Sequence, residues 1–186
     1  SDAVSHAHAL GIEHRDLKPS NILVSWEGVP WLIDWGLASR DGRGPGPLRA
    51  CRAAGTRSDA TRDGSDSVIG TAGYMAPEQI RAEEGSISTR SDVFALGCVL
   101  YEALTGERAF QGRGPRTRML ATVRQELVPP QTLAPAMKVS DDLSAVCLRA
   151  MAHRPEDRFE SAREFAIALA QAWMDARRRD RQNRAS

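Results

Sequence analysis

The chain has 186 residues, 41% hydrophobic and 26% charged, enough for one domain with a sizeable core. Its 25 basic and 24 acidic side chains leave a net charge of +1, which removes the electrostatic case for nucleic acid or an anionic membrane as partner. No apolar run reaches the roughly 18 residues that cross a bilayer, and no secretory signal opens the chain. Cys51, Cys98 and Cys147 are odd in number and widely spaced, matching neither a disulfide framework nor a zinc motif. A reducing, cytoplasmic compartment is therefore expected, with any membrane anchor of a parent protein outside this piece.

Residues 1–10 carry Ala3, Val4, Ala7 and Leu10 at helical spacing, with Gly11 as a stop. A domain seldom opens in mid-helix, so truncation is expected. Two strand-like runs follow, over 22–25 and 29–33, with Glu27-Gly28 as the turn between them. From about 40 to 67 the chain is mainly Arg, Gly, Ala, Ser, Thr, Pro and Asp, a composition that builds no core and predicts a mobile insert. Beyond it, Ser91 or Asp92 starts a very apolar helix over 93–104, closed by Gly106. Weaker helical patterns cover 116–126, 141–152 and 161–174, and Pro129, Pro130 and Pro135 mark a loop. Residues 175–186, with Arg177, Arg178, Arg179 and Arg181, read as a basic flexible tail. A nucleic-acid or lipid contact is the sharper reading of those arginines, and a solvated helix end the plainer one.

Three motifs carry chemistry. His14-Arg15-Asp16-Leu17-Lys18-Pro19-Ser20-Asn21 sets an asparagine five residues after an aspartate. Phosphoryl transfer needs such a pair: a carboxylate to orient the attacking hydroxyl and accept its proton, and a nearby oxygen ligand for magnesium. Asp34-Trp35-Gly36 directly follows the second strand-like run, where a carboxylate would meet the same metal. Gly36 is expected to give the next loop its backbone freedom. The third motif, Gly70-Thr71-Ala72-Gly73-Tyr74-Met75-Ala76-Pro77-Glu78, closes in Ala-Pro-Glu.

Together these motifs resemble the protein kinases, in the bacterial (Hanks-type) serine/threonine branch, over residues 1–174. The resemblance implies a mainly α fold: a kinase C-terminal lobe, large and helical, with a short β-hairpin bearing the catalytic and magnesium motifs and the N-terminal lobe absent. It implies transfer of the ATP γ-phosphate to Ser/Thr hydroxyls of a protein substrate, with Mg2+. It makes Asp16 the base, with Lys18 on the phosphate, Asn21 and Asp34 on magnesium, and Leu23 flooring the adenine pocket. The lysine two residues after Asp16 is what the resemblance ties to serine/threonine specificity. Residues 34–78 become the activation segment. In it, Thr71 bonds Asp16 and Lys18, the peptide lies along Gly70 to Tyr74, and Glu78 pairs with Arg158. His14 and Asp92 are structural, Asp92 anchoring the catalytic loop or simply capping its own helix. Trp35 departs from the family's Phe, an aromatic that packs in the core. Arg15 suggests control by a phosphate on Thr56, Ser58, Thr61, Ser65 or Ser67.

Parts of a working kinase are missing from the sequence. No strand-borne glycine-rich loop, phosphate-holding lysine or paired helix glutamate precedes His14, and the run at Gly42 lacks flanking strands. The 186 residues alone are expected to be inactive without the missing lobe, and a non-catalytic remnant serving as an interaction module is the alternative.

Overall fold

The structure, a computed structural model, describes residues 2–40, 72–81 and 87–185. The expected mobile insert over 40–67 lies almost wholly outside these, as do Gly70, Thr71, Cys51 and the five candidate phosphoacceptors.

Helix α1 (Asp2–Ala9) ends in Gly11, whose φ of 71° is the left-handed conformation a glycine adopts freely. Strand β1 (Ile12–Glu13) leads into the His14-Arg15-Asp16 loop, which closes with a 3-10 turn at Pro19–Asn21. Strands β2 (Ile22–Val24) and β3 (Pro30–Leu32) form an antiparallel hairpin in the register Leu23↔Trp31. Its turn closes through Gly28, at φ 81°. Strand β4 (Ser39–Arg40) returns to pair with β1, Glu13 facing Ser39.

The rest is helical: α2 (Pro77–Arg81), α3 (Thr89–Thr105), α4 (Pro115–Arg124), α5 (Pro130–Leu133), α6 (Asp141–Ala150) and α7 (Ala162–Ala185). Helix α3 is the centre of the core. It is buried nearly all round, and its residues enter two apolar clusters. On one side Phe94, Cys98 and Tyr101 pack with Phe110, Cys147 and Met151; Phe94 and Phe110 stack at 5.9 Å. On the other, Val93 and Leu96 pack with Val4, Leu17, Phe159 and Phe165. Gly97 lets α3 and α6 touch, since a Cβ there would stand 2.8 Å from Ala150 Cβ and from Met151 Cγ. Burial in this interior pushes the Cys147 thiol up to about 12, so it is a packing group rather than a nucleophile.

Three expectations change. Helix α3 starts at Thr89, capped by Ser88, whose Oγ accepts from Arg90 N while Ser88 N donates to Ser91 Oγ. Asp92 therefore lies inside the helix, and capping is not its task. The region of Pro129, Pro130 and Pro135 is not plain loop: proline at the first helical position starts both α5 and the 3-10 turn Pro135–Met137. Helix α7 continues to Ala185 instead of giving way to a flexible tail after Met174. Gln171 Nε2 donates to Asp175 one turn on, and Arg179 pairs with Asp142 of α6, so arginine-rich composition there extends a helix. No helix among the described residues is long and apolar enough to cross a membrane.

Candidate active site

Asp92 reaches across from α3 and fixes the start of the loop. Its Oδ2 accepts from His14 N at 2.8 Å and its Oδ1 from Arg15 N at 2.8 Å, while His8 Nε2 of α1 lies 2.9 Å from Oδ2. Held this way, Arg15 takes φ 66°, a left-handed backbone that costs a non-glycine residue about 1–2 kcal/mol. Its carbonyl is held as well, by Gln79 Nε2 of α2 at 3.3 Å. The strain is over-determined from both sides of the peptide, as it is where function sets the geometry.

His14 joins this loop to the hairpin. Its ring Nε2 lies 3.3 Å from the carbonyl of Ile33 and must donate; its Nδ1 lies 3.3 Å from Asp16 N and must accept. One buried imidazole thus ties Asp16 to the residue before Asp34. The backbone adds a second tie, Ile33 N donating to Asn21 O at 3.0 Å. Asp34 follows at φ 60°, its Oδ1 accepting from Gly36 N at 3.3 Å. Gly36 serves a different need from the expected backbone freedom: its φ is not positive, but a Cβ would come within 3.2 Å of Asp34 Oδ1. Trp35 is not a core side chain here. It is 38% exposed, tilted against the His14 ring at 4.6 Å, with its indole N–H toward Leu32 O.

Around Asp16 the acid, base and amide groups converge. Lys18 Nζ donates to Asp16 Oδ2 at 2.8 Å, and Asn21 Nδ2 donates to Asp16 O at 2.9 Å and to Oδ2 at 3.2 Å. With both Nδ2 hydrogens spent on Asp16, Oδ1 is the Asn21 atom left for a cation. Asp16 Oδ1 is the reverse case, a buried carboxylate oxygen with no hydrogen-bond partner. A native fold leaves such an atom only where something else meets it. Among the described residues no cluster of three or more His, Cys, Asp or Glu could hold a metal alone. Magnesium does not require one: it is held through one or two carboxylates and fills its shell with water and phosphate, and the Asp34 carboxylate with the Asn21 amide oxygen is a donor set of that oxygen chemistry. Leu23, on β2, is 52% exposed.

Glu78, which closes the Ala-Pro-Glu motif, is anchored by a second buried arginine. Arg158 Nη1 and Nη2 donate to the two oxygens of Glu78 at 2.7 and 2.9 Å, and the remaining donors go to the carbonyls of Ala152, Arg90 and His153. Ser91 Oγ adds a bond to Glu78 Oε1 at 2.7 Å. Burial alone would raise the Glu78 pKa, but the hydrogen bonds and charge of Arg158 outweigh it and hold the carboxyl below its usual value. Tyr74 donates to Glu102 of α3 and lies under Arg108; burial, then Glu102, pushes its phenol well up.

Glu13, Gln79 and Glu102 were not singled out from the sequence, and Ser91 only as a possible helix start. Glu13 had a signal: on an extended run, residues 13 and 15 share a face.

The family model for the protein kinase domain matches residues 1–174. Serine/threonine-protein kinase PknB of Mycobacterium tuberculosis (strain ATCC 25618 / H37Rv) is 40% identical over 167 residues, 90% of this chain and 24% of that protein. The probable serine/threonine-protein kinases PknB of Corynebacterium glutamicum and Bifidobacterium longum are 37% identical over 172 residues and 36% over 164. Those matches cover 90% and 88% of this chain, and 24% and 21% of the relatives. The chain thus spans about a quarter of the length of these curated relatives. The chain therefore belongs to the protein kinase domain family, and the relatives it resembles are bacterial serine/threonine kinases.

Proposed function

We propose that these residues form the C-terminal lobe of a serine/threonine kinase that transfers the ATP γ-phosphate to a protein hydroxyl. The observation that carries this is the buried, partnerless Asp16 Oδ1 beside an Oδ2 that pairs with Lys18 and accepts from Asn21. One oxygen is spent on positioning and the other is kept for the incoming hydroxyl.

Bound Mg-ATP supplies the electrophilic γ-phosphoryl group, with ADP as the leaving group. Asp16 Oδ1 orients the substrate hydroxyl and receives its proton as the oxygen attacks. Lys18, held beside that carboxylate, sets positive charge against the transferred group. Asn21 Oδ1 and the Asp34 carboxylate hold magnesium, and Leu23 meets the adenine. Residues 34–78 act as the activation segment, with substrate along 70–74. Its end is fixed by Glu78 and Arg158.

The hairpin supports the need for a second lobe. Leu23, Val24, Trp26, Val29, Trp31 and Ile33 are all exposed, an apolar surface on one small hairpin that fits a covering partner. No side chain of the sequence matches the lysine that would hold the inner phosphates. Residues 1–186 alone are therefore expected to transfer phosphate negligibly. The test is Asp16→Asn in the full-length protein, assayed with radiolabelled ATP on a protein substrate. A loss of about 100-fold or more at unchanged melting temperature is expected. An unchanged rate contradicts the role given to Asp16.

A further inference from the structure

Arg15 is buried, at 4% exposure, and a buried guanidinium requires an anion. The sequence pointed to a phosphate on the segment as that anion. The structure already supplies one. Glu13, two residues back and 5% exposed, accepts from Arg15 Nε at 2.9 Å through Oε2. Arg15 Nη2 lies 2.9 Å from the same oxygen, out of line for a hydrogen bond. Glu13 is placed to do more than neutralise. Its backbone is the β1 partner of Ser39, where the chain sets out after Asp34-Trp35-Gly36, and Arg15 in turn is bound by Gln79, where the segment ends. The one carboxylate therefore sits where catalytic loop, segment start and segment end meet, next to the base.

We propose that Glu13 is a positioning residue that provides the counter-charge of Arg15 from within the catalytic loop, so that the loop around Asp16 is set without phosphate on the segment. The inference rests on the kinase reading above. It reverses the expectation drawn from Arg15: phosphorylation of the segment is dispensable for transfer in this protein.

A double replacement in the full-length protein tests it. Thr56, Ser58, Thr61, Ser65 and Ser67 are changed to alanine together, with Glu13 intact or as Glu13→Gln, and melting temperatures are compared. With Glu13 intact, the five-alanine protein keeps its kcat within about threefold of the unaltered one, whereas in Glu13→Gln the same five changes cost about tenfold or more. A tenfold loss with Glu13 present overturns the proposal. So does a Glu13→Gln loss of the same size with and without the loop hydroxyls, since a merely structural glutamate would give that. If no form transfers phosphate, it is the kinase reading that fails, and the positioning claim is still read by NMR. The Arg15 Nε–H resonance is expected to exchange slowly in the unphosphorylated protein and fast in Glu13→Gln. Equal protection in both overturns it.

Discussion

Two buried arginine–glutamate pairs hold the candidate site, and they are built to different standards. In Arg158–Glu78 both carboxylate oxygens and all five guanidinium hydrogens are used, the ring of Phe94 lies 4.8 Å under the guanidinium, and the carboxyl is held below its usual value. In Arg15–Glu13 one carboxylate oxygen serves, Arg15 Nη2 has no aligned acceptor, and burial raises the Glu13 pKa more than Arg15 lowers it. The first pair is a closed clamp, far along the chain from the chemistry. The second is less completely bonded and lies one residue from Asp16. Burial of an ion pair is therefore no measure of its worth; the completeness of its hydrogen bonding is.

Breaking each pair should give unequal costs. Glu78→Gln leaves Arg158 charged and buried and is expected to destabilise by about 3–5 kcal/mol in chemical denaturation. Glu13→Gln is expected to cost about 1–2 kcal/mol, because Arg15 already tolerates an unmet donor. Equal costs would erase the distinction. Arg158→Lys should lose about 1–3 kcal/mol, since an ammonium cannot serve two carboxylate oxygens and three carbonyls in one plane, while Arg15→Lys should lose less. Removing a single supporting bond to the clamp, in Ser91→Ala, is the smallest change, about 1 kcal/mol.

The pairs should also answer pH with opposite signs. Glu78 has a folded pKa below its unfolded value near 4.5, so its contribution is present above that pH and lost as pH falls through the folded pKa. Glu13 has a folded pKa above 4.5, so its contribution is full below 4.5 and lost as pH rises through the folded pKa. Denaturation of wild type against each Glu→Gln variant between pH 3 and 7, roughly the span of these titrations, checks both slopes. Parallel slopes would contradict the assigned surroundings.

The same contrast separates what could be read from the sequence. The Asp16–Asn21 contact was legible because its spacing is local, a five-residue loop, and the hairpin strands that lead on toward Asp34 fall inside the expected runs. The Glu78–Arg158 pairing, 80 residues apart, came only through family resemblance. The start of α3 was misread because Ser88, Ser91 and Asp92 are all capping residue types, and what decides among them is distant. Asp92 is taken by backbone N–H groups of residues 14 and 15. Helix α7 outran its expected end because its arginines find partners at Asp142 and Asp175, which composition does not reveal. Trp35 lies against His14 and not in the core, a position no local pattern encodes. The Glu13–Arg15 contact depends on the left-handed turn at Arg15, φ 66°, which composition does not reveal.

The central claim is that residues 16 and 34 do different work at one phosphate. The magnesium dependence of transfer by the full-length protein separates them most directly. Asp34→Asn should raise the Mg2+ concentration for half-maximal rate by about tenfold or more, as loss of a charged oxygen ligand does, whereas Asp16→Asn should depress the maximal rate and leave that concentration unchanged. A magnesium requirement that is the same in wild type and Asp34→Asn would contradict the account.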